Sequence, residues 1–134
     1  LNLDISPYAA LRLRPGAEGA AVRELVAGLL PDGVKPWARV LASGTADPAP
    51  ACEVHRLQAA EGVLLAVMRN PQFQMSEELR AYGGNEALET PLRVEIRLAA
   101  PFAVRDARSG EEHGTTDRLE ATLSPWEPLI YLLH

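Results

Sequence analysis

Residues Pro91 to Leu133 constrain this chain more than any other stretch, because they read as short strands joined by turns. Leu92, Val94, Ile96 and Leu98 alternate with Arg93, Glu95 and Arg97, the period-two pattern of a strand with one apolar and one wet face. A further strand segment follows at Phe102 to Asp106, then a turn at Ala107-Arg-Ser-Gly110. A second alternating segment runs through Leu119, Ala121 and Leu123, and the end at Leu129 to Leu133 is apolar. Strands with one apolar face have to cover it with a second layer. The expected fold is mainly β, an antiparallel β-sandwich with one N-terminal amphipathic helix. No constellation of catalytic residue types falls on these strands, so the expectation is an accessory part and not an enzyme.

Three regions separate along the chain. Residues 1–33 read as a strand-like start, an irregular link and one helix. Val22, Leu25, Val26, Leu29 and Leu30 recur at helical spacing and share a face, and Pro31-Asp-Gly33 stops the helix. That single stripe needs cover, supplied either by the sandwich or by another domain. Residues 34–51 form a connector, with a first strand at Trp37 to Leu41 and a loop from Ser43 to Pro50. The body, 52–134, begins with strands at Glu53 to Leu57 and Val63 to Met68 around the turn Ala60-Glu-Gly62. The second of these is apolar throughout, as a central strand covered on both sides would be. Between Asn70 and Thr90 lies a long polar, glycine-containing excursion, with Ser76 to Tyr82 as one or two helical turns. Loops of that length are uncommon unless they carry function or cap an open end.

Size and charge narrow the function classes. A chain of 134 residues with 47% hydrophobic residues can form one domain with a real core. Its net charge of −5 and pI near 5.2 argue against a nucleic-acid partner, which needs clustered Lys or Arg. Lys35 is the only lysine, and Arg93, Arg97, Arg105 and Arg118 fall on expected strand faces, where solvated charge protects sheet edges. One cysteine, Cys52, forms no internal disulfide and no cysteine-based zinc cluster. No stretch has the length of a membrane span and no signal-peptide pattern is present, so the expectation is a cytoplasmic protein with no membrane partner. Leu1-Asn-Leu-Asp-Ile5 already reads as a strand, and Leu1 is expected to be a boundary within a longer protein.

Several motifs point to a family. Val104-Arg-Asp-Ala-Arg-Ser-Gly110, Gly114-Thr-Thr-Asp117 and Leu123-Ser-Pro-Trp-Glu-Pro128, followed by an apolar final strand, form one set. Val54-His-Arg-Leu57 and Val63 through Arg69-Asn-Pro71 form another. Together they resemble the C-terminal β-sandwich domain of multidomain glycoside hydrolases, the family 42 β-galactosidases in particular. Leu1 to Ser6, Tyr8, Arg14 and the helix to Leu30 resemble the tail of the amidotransferase-like trimerisation domain that precedes that sandwich. The resemblance implies an immunoglobulin-like β-sandwich of the glycosyl hydrolase C-terminal type. It also implies a separate catalytic barrel that carries the catalytic carboxylates, so no catalytic residue is carried over. The implied partners are the barrel and the middle domain of the parent chain. The 71–90 insertion has no counterpart in this likeness.

The side chains with chemistry have ordinary structural explanations. Retaining glycosidases need two carboxyl groups about 5–5.5 Å apart. Glu53, Asp106, Glu111, Glu112, Asp117, Glu120 and Glu127 are available, but Asp106 and Asp117 read as turn formers. Cys52 and His55 make at most half a zinc site, and a buried thiol beside an exposed imidazole is the simpler reading. No metal and no cofactor is expected. Ser124 precedes a proline without the G-x-S-x-G turn of a hydrolase nucleophile. Flat aromatic rings can stack on sugars, and Trp37, Phe73, Tyr82 and Trp126 are the candidate platforms for an oligosaccharide. Phe73 and Tyr82 lie in the long loop. Trp126 stands between prolines at the rim, and Trp37 is placed to fill the seam between helix and sheet. The leading reading is a non-catalytic accessory domain with an interdomain packing role. The alternatives are a carbohydrate-binding module using the 71–90 loop and a small protein–protein interaction domain.

Overall fold

The computed structural model describes residues 16–29, 31, 34–69 and 89–134. Helix α1 (Gly16–Gly28) precedes six strands: β1 (Ala38–Ala42), β2 (Cys52–Ala59), β3 (Gly62–Arg69), β4 (Leu92–Asp106), β5 (Glu112–Leu123) and β6 (Leu129–Leu133). Every strand pairing is antiparallel, and the strands make one sheet in the order β1-β4-β6-β3-β2, with β5 paired to β4. The mainly β, antiparallel architecture expected from the sequence is present. The stretch from Ser76 to Tyr82 lies outside the described residues.

β4 decides the shape. The two strands expected at 92–98 and 102–106 are one strand of 15 residues. β5 lines one edge of it for most of its length, while the other edge pairs with β1 at Val94 to Leu98 and with β6 at Val104 to Asp106. The register to β5 breaks between Arg97 and Phe102. Pro101 lies in that break, where its missing N–H costs no ladder bond. A straight strand of this length would separate its ends by about 46 Å. The link from Leu123, opposite Leu92, to Leu129 beside the far end of β4 reaches at most about 22 Å. β4 therefore bends, and the strands flanking its two halves become arms closed over a common core. The two layers expected of a sandwich are two arms of one curled sheet, not two separately bonded sheets.

Alternation along the strands fills that core. Val40, Val94, Ile96, Leu98, Leu119 and Leu123 from one arm meet Leu65, Val67, Val104, Tyr131 and Leu133 from the other. Each such side chain contributes about 1.5–3 kcal/mol when fully buried. The β2–β3 hairpin is turned at Ala60-Glu61, and Gly62 takes φ 147° with its Cα against the Leu133 carbonyl. A Cβ there would collide with backbone, so this position requires glycine. β1, which falls within the expected connector, is bonded into the sheet, and its outer edge is covered by the chain doubling back. Ala42 N–H donates to Asp47 O at 3.0 Å and Ala49 N–H to Val40 O at 2.9 Å.

The outer faces of the two arms differ. On the β4–β5 arm the Arg97 guanidinium donates to both carboxylate oxygens of Glu95, at 2.6 and 3.1 Å, with Arg118 opposite Arg97 in the register. That side of the sheet is wet. On the β3–β6 arm the outward side chains are Leu64, Ala66, Met68, Ile130 and Leu132. They are half-buried, and Leu132 is only 6% exposed. The reading of Val63 to Met68 as a central strand is consistent with this, since β3 lies between β2 and β6.

The helix departs from expectation. Its stripe of Val22, Leu25, Val26 and Leu29 was the candidate buried face, but Leu25, Val26 and Leu29 are exposed and only Val22 is half-buried. α1 touches the strands only marginally. A groove of about 510 Å³ runs between the helix and the β1 edge, lined by Val26, Ala27, Val40, Leu41 and Pro48 among others.

Candidate functional site

Of the four candidate aromatic platforms, Phe73 and Tyr82 lie outside the described residues. Trp37 is half-buried and performs a packing task. Its ring lies 5.8 Å from that of Phe102 at a tilt of 58°, and the Arg56 guanidinium sits 4.8 Å above it. Tilted aromatic pairs and cation–π contacts of this geometry each contribute about 0.5–1.5 kcal/mol. Trp37 thus fills the seam where β1 and β2, the two ends of the sheet order, approach each other, and its partners come from strands and not from the helix.

Trp126 is different. It is 67% exposed and sits on the link between β5 and β6. Ser124 Oγ accepts the Trp126 and Glu127 N–H groups, each at 3.2 Å, which fixes the turn, and Pro125 beside the indole is buried. The turn is tied to the β4–β5 hairpin: Arg108 Nη1 donates to Glu127 Oε2 at 3.0 Å, and Ala107 N–H donates to Ile130 O at 2.8 Å. The hairpin is itself locked, because Asp106 Oδ1 accepts the Arg108 N–H at 2.7 Å and the Ser109 N–H at 2.8 Å. These bonds, the one from Ser109 first, hold the Asp106 carboxyl below its usual range. Gly110 supplies the φ of 78° that closes the turn. The result is a rim on which an exposed indole precedes, in the chain, one member of a surface ion pair.

The other candidate chemistry disperses. Cys52 and His55 are three apart on β2 and point to opposite faces, so the half zinc site does not assemble. His55 Nε2 instead lies 3.2 Å from Glu53 on the outer face. Among the described residues, no group of three or more His, Cys, Asp or Glu could hold a metal. Asp117, expected as a turn former, lies within β5 with its side chain exposed. The carboxylates of Glu53, Glu61, Glu95 and Glu127 are each engaged by a different local partner, spread over several parts of the sheet.

One buried polar node escapes the sequence reading. Arg69, at the end of β3, is 3% exposed and pairs in register with Cys52. Its Nη1 donates to Pro50 O at 3.0 Å, while its Nε has no hydrogen-bond partner among the described residues. Burial pulls its guanidinium pKa down. The same Pro50 carbonyl takes the Cys52 thiol at 3.5 Å, across Ala51, a fully buried residue with φ 51°. Burial pushes the Cys52 thiol up to about 11 despite the nearby Arg69 charge, so the thiol stays protonated and unreactive. Arg69 clamps a strained corner of the backbone.

The Asp106 to Gly110 turn is legible in the sequence, but the partner of Arg108 stands 19 residues away and no local pattern reveals it. Comparison with protein-family models, with curated proteins and with solved structures finds no match for this chain.

Proposed function

We propose that this chain is a non-catalytic accessory module of a larger glycoside-hydrolase-like protein, acting through contact with its neighbours in that protein. The observation that carries the reading is the exposed apolar stripe at the end of α1, where Leu25 and, just past the helix, Leu29 are 57% and 70% exposed at helical spacing. Leaving two leucines in water forfeits about 1.5–3 kcal/mol each relative to full burial, and a partner surface recovers that energy. The sheet lends further support. Its core is filled by its own side chains, and the carboxylates of Glu53, Glu61, Glu95 and Glu127 serve in separate pairs. The barrel and middle domain implied by the sequence resemblance are the proposed neighbours.

The test joins two measurements. The reading frame upstream of Leu1 is expected to encode a barrel with paired acidic residues. In that full-length protein, Leu25→Ser with Leu29→Ser is expected to loosen the module, seen as faster proteolysis between it and the preceding domain. Glycosidase turnover by the chain alone, or an unaltered proteolysis pattern in the double variant, contradicts the proposal.

A further inference from the structure

We propose that the rim around Trp126 is a carbohydrate-binding surface for a pyranoside ligand, a function separate from the contacts of α1. Among the described residues of 89–134, Trp126 is the only exposed large apolar side chain. The other exposed apolar residues belong to α1, the link after it, and β2. A protein-docking surface gathers several apolar side chains into one patch. Here a single exposed indole projects from a turn whose other groups are polar: the Glu127 carboxylate next in the chain, the Arg108 guanidinium paired with it, and the hydroxyl of Ser124 two residues before. A ligand that suits this setting has one flat C–H face for the ring and hydroxyls at its edge for the ions. A pyranose has that chemistry.

The rim is also preorganised. The Ser124 bonds, the buried Pro125 and the Asp106 turn hold the backbone around the indole before any ligand arrives. Ordering costs on binding are correspondingly small, which matters for a shallow surface with few contacts. Trp37, the other tryptophan, is half-buried and engaged by Phe102 and Arg56.

The two tryptophans make the test direct. Titration of the intact chain with lactose, cellopentaose and a β-1,4-galacto-oligosaccharide, followed by intrinsic fluorescence and calorimetry, is expected to give a saturable blue shift with at least one probe. Trp126→Ala, with unchanged far-UV dichroism and melting temperature, is expected to weaken binding by about tenfold or more. Arg108→Ala is expected to weaken it by about threefold. No saturable response to any of the three sugars overturns the proposal. So does a response that persists in Trp126→Ala, which would report on Trp37.

Discussion

Along β4, Val94, Ile96 and Val104 alternate with solvated residues and are fully buried, because the bend of the strand brings a second arm over them. At the end of α1 and just past it, Leu25, Val26 and Leu29 recur at helical spacing, yet all three stay exposed. The two regions have the same kind of pattern and opposite outcomes. Apolar periodicity states that a face needs cover, and it leaves open where the cover comes from. The sheet supplies its own by curling. Among the described residues, the apolar stripe of the helix receives little beyond the half-burial of Val22. This is the physical basis for reading the sheet as a self-sufficient core and the helix as a contact element.

The sharpest way to break this comparison is to remove buried mass from the sheet. Ile96→Ala deletes a fully buried side chain where the arms meet, and chemical denaturation is expected to register a loss of about 2–5 kcal/mol. Next comes the hairpin. Gly62→Ala would place a Cβ against the Leu133 carbonyl at a φ of 147°, and a cost of about 2–3 kcal/mol is expected from the same measurement. The corner clamped by Arg69 carries strain that runs the other way. Ala51→Gly releases a left-handed alanine at φ 51° and is expected to stabilise the sheet by about 0.5–1 kcal/mol in thermal unfolding. Smallest of all is the helix. Leu25→Ser with Leu29→Ser is expected to change the stability of this chain by no more than about 0.5 kcal/mol, since neither side chain is covered. A loss near that of Ile96→Ala would erase the distinction between the regions.

Much of the fold was legible because strands announce themselves through alternation. The positions of β1, β2, β3 and β6 follow from runs such as Val63 to Met68 and Leu129 to Leu133, and the turns from Ala60-Glu-Gly62 and Asp106 to Gly110. The bend was not legible in the same way. Ala99-Ala100-Pro101 reads as a break between two strands, whereas the chain keeps one strand through it, and only the short reach of the 124–128 link requires the closure. The site divides along similar lines. Trp126 was recognisable as a rim residue from its flanking prolines. The role of Trp37 depended on Phe102 and Arg56, which the fold brings together from distant strands. Arg69 carried no signal, because a basic residue at the end of an apolar strand ordinarily points to water.

Amide hydrogen exchange resolved along the chain tests the central division most directly. The account predicts that amides in both halves of β4, around Ile96 and around Val104, exchange together at the global unfolding free energy, while those of α1 between Ala20 and Ala27 exchange far faster. Protection of α1 equal to that of the strands would contradict it, as would separate exchange of the two halves of β4.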